Sequence, residues 1–212
     1  MKKKRVLIAI AIIISFIFIL NGCQSDNKQA TKIQKILEKS AVFENDFATT
    51  QTKLFETREN AQLLYNDLIS LDINDKEVIN QKIDEANTYI EKQQKLLEAA
   101  EKNFHKAYNK VLTIEKNIKK IKNEDKRNQA LKLLTIMNER KKLLNTFFEL
   151  YNENLDSQNS FYNSLGENIF RIENLDEPIN EINKRSQEME QIIEQFNQYT
   201  QNYIEEQGEF YN

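Results

Sequence analysis

From residue 28 onward, apolar side chains recur at alternating steps of three and four. That spacing places them on one stripe of an α-helix. A first stripe runs through Ile33, Phe47, Leu54, Leu64 and Leu68. A second keeps step through Ile79, Ile83, Ala86, Ile90, Leu97, Ala100, Phe104, Ala107, Val111, Ile114, Ile118 and Ile121, with Gln93 as its polar member. A third runs through Ala130, Leu134, Met137, Leu144, Phe148, Tyr151, Leu155, Tyr162, Leu165 and Ile169, with Lys141 and Gln158 as polar members. A fourth runs through Ile182, Met189, Phe196, Tyr203 and Phe210. Flanking residues such as Leu37, Leu133, Leu143, Phe147 and Ile192 widen the stripes beyond a two-stranded seam, which favours a bundle core. Lys141, Gln93 and Gln158 read as register controls or as the lining of a pocket inside the bundle.

Turn chemistry appears where the stripes break. Leu71 to Asp75 separates the first pair, with Asp75 or Asn74 as the expected cap of the next helix. Lys122 to Asp125 separates the second pair. Asn174 to Pro178 precedes the last stripe, with Asp176 or Glu177 expected to cap it. Short connections make neighbouring helices antiparallel. Glycine occurs three times and proline once, too rarely for a many-stranded fold. The expectation is an all-α, elongated four-helix up-and-down antiparallel bundle over 31–212. Its helices are expected at about 28–70, 76–121, 126–169 and 178–211.

The first 22 residues have a different grammar. Lys2, Lys3, Lys4 and Arg5 precede an apolar run from Val6 to Leu20, broken only by Ser15. A membrane-spanning helix needs about 20 apolar residues, and this run is shorter. Leu20, Asn21 and Gly22 then lead into Cys23, the single cysteine of the chain. This order resembles a lipobox, at which a cysteine sulfur is diacylated and the chain is cut just before it. Residues 1–22 are therefore expected to be a signal peptide and Cys23 the lipid attachment site, with 23–30 as a tether. A lone cysteine suits an anchor better than a disulfide.

Cleavage would also change the charge. The whole chain has 30 Lys+Arg and 33 Asp+Glu. Residues 1–22 hold four of the cations and no anion, which leaves a formal −7. That balance argues against nucleic acid as a partner. His105 is the only histidine, and Glu101 one turn earlier gives two ligands at most, so no metal site is expected. Acidic pairs such as Glu205 and Glu206 read as a solvated helix face. Phe196, Tyr203 and Phe210 read as core, which leaves Tyr199 and Tyr211 as the freer aromatics for stacking on a sugar. No catalytic constellation and no cofactor motif is present.

The segments Ile36–Ser40 (ILEKS), Leu64–Leu71 (LYNDLISL) and Phe196–Tyr203 (FNQYTQNY), together with the lipobox, resemble the YkyA-type cell-wall-binding lipoproteins of Gram-positive bacteria. The resemblance implies a four-helical bundle and association with the wall, and brings no catalytic or ligand residues. The expected protein is non-enzymatic and extracytoplasmic. It is bound to the outer leaflet through Cys23 and meets peptidoglycan, another wall polymer or a wall-associated protein. The alternative is an adaptor that binds an integral membrane or wall-processing protein through one bundle face, and a third reading is a small-ligand carrier. In an up-down-up-down bundle the second connection returns to the lipidated end. It carries Lys119, Lys120, Lys122 and Lys126, expected as a membrane-proximal basic cluster.

Overall fold

The computed structural model describes the backbone of residues 2–72, 74–166 and 176–211, and side chains from Ser25 onward. The expected signal peptide, the side chains of Leu20, Asn21, Gly22 and Cys23, and the third-stripe end at Ile169 lie outside the described side chains. Four long helices are joined by one short one: α1 (Lys2–Ile69), α2 (Lys76–Leu112), α3 (Glu115–Ile118), α4 (Glu124–Gly166) and α5 (Asp176–Tyr211). No strand occurs among the described residues.

Cross-helix contacts fix the antiparallel order. Ser40 Oγ donates to the Ala107 carbonyl at 3.1 Å, and Lys82 Nζ meets Asp67 at 3.5 Å, so α1 and α2 run in opposite directions. Tyr108 with Asn138 and Tyr151 with Gln93 do the same for α2 and α4. Asn154 with the Ile182 carbonyl and Arg140 with Thr200 do so for α4 and α5. At 1.5 Å per residue the 43 residues of α4 span about 65 Å. The molecule is a rod with two ends. The basal end carries Asp26, the α3–α4 connection and Phe210. The distal end carries the α1–α2 connection, Gly166 and the start of α5.

The core follows the stripes closely. Leu97, Phe104, Ala107, Val111, Leu144 and Phe148 are all buried. Phe47, Phe104 and Phe196 form an aromatic centre, with ring centroids 5.5 to 6.0 Å apart. Rings tilted or edge-on at such distances contribute about 0.5–1.5 kcal/mol per pair beyond burial. Among the described residues the buried side chains run from Asp26 to Phe210.

Three local expectations are corrected. The second helix does not run unbroken to 121. Thr113 donates its hydroxyl to the Lys110 carbonyl at 2.8 Å, and Ile114 N–H bonds the Val111 carbonyl at 2.9 Å. These three-residue bonds tighten the turn and end α2, as threonine back-bonding does. Ile114, Ile118 and Ile121 stay buried beyond the break. Asp75 occupies the N-cap of α2 but makes no side-chain cap bond, while Asp72 Oδ1 accepts from Asn74 N–H at 2.9 Å and shapes the turn instead. Asp176 and Glu177 lie inside the first turn of α5, ahead of Pro178. An acidic pair there favours the helix dipole, and proline loses only an N–H that the first turn leaves unpaired anyway.

Candidate functional site

At the basal end the segment 23–30, expected as a tether, is helical and continues α1. Asp26 and Gln29 are buried. Asp26 turns inward because its carboxylate has backbone partners: Oδ1 accepts from Lys122 N–H at 2.9 Å and Oδ2 from Asn123 N–H at 2.8 Å. Asn123 in turn caps α4, its Oδ1 accepting from Lys126 N–H at 2.8 Å. A side-chain cap of this kind contributes about 1 kcal/mol. The α3–α4 connection is thereby pinned three residues along the helix from Cys23.

Lys119, Lys120, Lys122 and Lys126 all fall on or beside that connection. The first three are exposed. Lys119 pairs with Glu115 at 2.8 Å, and Lys126 Nζ lies 6.0 Å from the Phe210 ring. Glu124 and Asp125 open α4 at the same end. Of the nearby C-terminal acids, Glu206 is buried and paired with Lys132.

In the middle of the rod, the third stripe turns Arg140 inward, where Lys141 was expected. Arg140 is 1% exposed. Its Nη2 donates to Glu44 Oε2 at 2.7 Å, its Nε to Thr200 Oγ1 at 3.2 Å, and its Nη1 to Met137 Sδ at 3.2 Å. The guanidinium also lies 4.9 Å from the Tyr203 ring and 5.1 Å from Phe196. Burial, and next the Glu44 carboxylate, push the Tyr203 phenol well above its usual range. Lys141 lies half-buried with Nζ 4.4 Å from the Tyr108 ring, in an open groove between α2 and α4.

The other two polar seam residues, Gln93 and Gln158, line a cleft in the distal part of the rod. The backbones of α1 and α5 hardly approach one another, and no residue of α5 before Met189 is fully buried. The upper half of α5 therefore leaves a gap over the seam. The cleft is open to solvent and small, with about 60 Å³ of room for water. Its floor is set by Gln93, whose Oε1 accepts from Tyr151 O–H at 2.7 Å. Its walls carry Tyr65 from α1 and Phe161 and Tyr162 from α4, with the Tyr65 and Phe161 rings 6.2 Å apart. Burial, and then Tyr65, push the Tyr162 phenol up to about 12, so it is a neutral donor at any physiological pH. Among the described residues neither the Tyr65 nor the Tyr162 hydroxyl has a hydrogen-bond partner. Arg58 borders the cleft and faces Glu190 at 3.7 Å across the α1/α5 seam.

The aromatics singled out in the sequence lie elsewhere. Tyr211 is exposed at the basal end and Tyr199 is half-buried against the core. Tyr65 and Phe161 gave no sequence signal because they flank the stripes. His105 Nε2 meets Glu101 at 3.5 Å, and among the described residues no group of three His, Cys, Asp or Glu could hold a metal ion.

The family described as "YkyA: Putative cell-wall binding lipoprotein" matches residues 28–212. The chain belongs to this family. The match spans the bundle from the first turns of the described α1 side chains to the C-terminus, so it covers the basal corner, the Arg140 centre and the distal cleft alike. A crystal structure of a conserved protein of unknown function from Staphylococcus aureus is similar in fold, with a TM-score of 0.74 and 19% identity. The similarity covers 89% of this chain and 95% of that one. No curated protein sequence matches the chain.

Proposed function

We propose that this YkyA-family chain is a non-enzymatic lipoprotein that stands on the outer leaflet and binds a polymer of the cell wall. The observation that carries the reading is the family match over residues 28–212, which follows directly on a lipobox-like sequence ending at Cys23. A single acyl chain binds a membrane only marginally, while two give a stable anchor. Diacylation of Cys23 meets that requirement.

The helical start of the bundle sharpens the proposal. With no tether, a lipid on Cys23 holds the Asp26 corner close to the headgroups. Lys119, Lys120, Lys122 and Lys126 then lie within a Debye length of anionic lipid, where each lysine contributes about 1 kcal/mol. The distal end projects away from the membrane by about the length of α4, toward the wall.

The Cys23→Ala chain is expected to leave the washed membrane fraction, because the lipid is the only strong anchor proposed. Chain 23–212 is expected to sediment with purified, protein-free cell wall. Membrane retention of Cys23→Ala at parental levels, with residues 1–22 cleaved off, would contradict the anchor. Failure to sediment with the wall would contradict the polymer partner and favour a protein one.

A further inference from the structure

A rod held through one lipid is placed by whatever joins that lipid to the fold. Here the joint is the stretch of α1 just after Cys23. Asp26 is 5% exposed, and its carboxylate takes the backbone N–H groups of Lys122 at 2.9 Å and Asn123 at 2.8 Å. A charged acceptor makes such bonds stronger than neutral ones. Gln29, the other buried polar residue of the stretch, leaves its Oε1 without a partner among the described residues. The next fully buried apolar side chain is Ile33.

Cleavage before Cys23 makes this stretch the end of a helix, and helix ends fray. Asp26 then falls in the first turn, where an acid suits the helix dipole. Its bonds across the base also limit how far fraying can run. From Cys23 to Asp26 is three residues, or about 4.5 Å along a helix and about 10 Å fully extended. From Cys23 to Ile33 is ten residues, or about 34 Å extended. The Debye length at physiological salt is about 8 Å. With Asp26 held, the connection bearing Lys119, Lys120 and Lys122 stays about one Debye length from the anchor. With Asp26 released, it can stand about four away. The effective concentration of a leashed group falls as about the −3/2 power of leash length, here roughly sixfold.

We infer that Asp26 is a positioning residue: its bonds to the Lys122 and Asn123 backbone tie the lipid attachment point to the basic corner and hold that corner at the headgroups. The inference rests on the anchor proposed at Cys23 and deepens it, because membrane contact of the corner then depends on Asp26 as well as on the lipid. Asn123 separates this role from simple stabilisation of the connection. Its side chain caps α4 through Lys126 N–H at 2.8 Å, while only its backbone serves Asp26. Asn123→Ala therefore weakens the same connection and leaves the leash short.

The test uses chain 23–212, the form that cleavage before Cys23 leaves, with a maleimide-bearing lipid coupled to its single thiol. Chemical coupling makes the outcome independent of whether cells acylate Cys23. The chain has no tryptophan, so Lys120→Trp, at an exposed position of the corner, supplies one emitter. Vesicles of neutral phosphatidylcholine with nitroxide-labelled headgroups quench it at close range, and a neutral surface removes the attraction of the remaining lysines. Circular-dichroism melts check that each variant folds. Lys120→Trp alone and with Asn123→Ala are expected to be quenched alike, and Lys120→Trp with Asp26→Ala about threefold less. Without lipid, the amides of residues 27–32 in the unsubstituted chain are expected to exchange at least about a hundredfold more slowly than in a free peptide. Asp26→Ala is expected to remove most of that protection and to spare the middle of α4. Equal quenching with and without Asp26→Ala overturns the inference, as does an equal fall in Asn123→Ala. Free-peptide exchange of residues 27–32 in the unsubstituted chain overturns it before any variant is made. Asp26-dependent quenching of the coupled chain, together with Cys23→Ala that stays in washed membranes after cleavage, supports the inference and overturns the anchor proposal instead.

Discussion

Glu44→Ala is expected to destabilise the bundle by about 3 kcal/mol, whereas Arg140→Met should be neutral or stabilising. The two side chains form one ion pair, so the contrast comes from what each deletion leaves behind. Without Glu44, a guanidinium with almost no solvent access keeps only Thr200, Met137 and the aromatic faces. Cation–π contacts of this kind contribute about 0.5–2 kcal/mol and do not replace a carboxylate. Without Arg140, methionine fills most of the volume and Glu44 relaxes into the solvent it already reaches. Urea denaturation of the two variants measures the difference. Equal losses would mean that the pair stabilises the fold by its own attraction. If Arg140→Met melts at parental temperature but with a broadened transition, the arginine is a register device. It ties α4 to α1 through Glu44 and to α5 through Thr200, and sliding either helix would strand the charge.

Leu97→Asp is expected to abolish cooperative folding. Leu97 is 1% exposed, in the middle of α2. An unpaired carboxylate there costs several kcal/mol, comparable to the whole stability of a domain. Lys95→Ala, two residues away, is expected to change stability by no more than about 0.5 kcal/mol. Lys95 is solvent-exposed and its partner Glu91 lies 3.8 Å away on the same face. Circular-dichroism melts of both variants check the pair, and coincident melts would invalidate the burial of the α2 stripe.

The α2 stripe and the four-helix order were legible because helical periodicity is a property of the sequence alone. Phe104, Val111 and Leu144 could be placed in the core by counting. Arg140 could not. A four-helix core buries a strip wider than a strict heptad seam, so either of two adjacent residues can turn inward. Which one does so depends on Glu44, 96 residues away in sequence. Asp26 was hidden for a similar reason. Its partners are backbone N–H groups of residues 122 and 123, which carry no side-chain signature. The break after Leu112 depends on a threonine hydroxyl bond that competes with a continuing apolar stripe. Gln93 and Gln158 did mark the cleft as polar interruptions. Tyr65, Phe161 and Asn183 joined it only through the gap between α1 and α5.

The proposed function requires one orientation, with the base at the membrane and the distal end in the wall. In-cell photo-crosslinking from two exposed positions tests it most directly. A photoreactive residue at Asn183, on the distal part, should yield adducts with wall glycan that a wall hydrolase releases. The same residue at Lys120, on the basal corner, should yield none and should instead mark lipid. Wall adducts from Lys120 alone, or a single protein partner captured from Asn183 in place of glycan, would contradict the account.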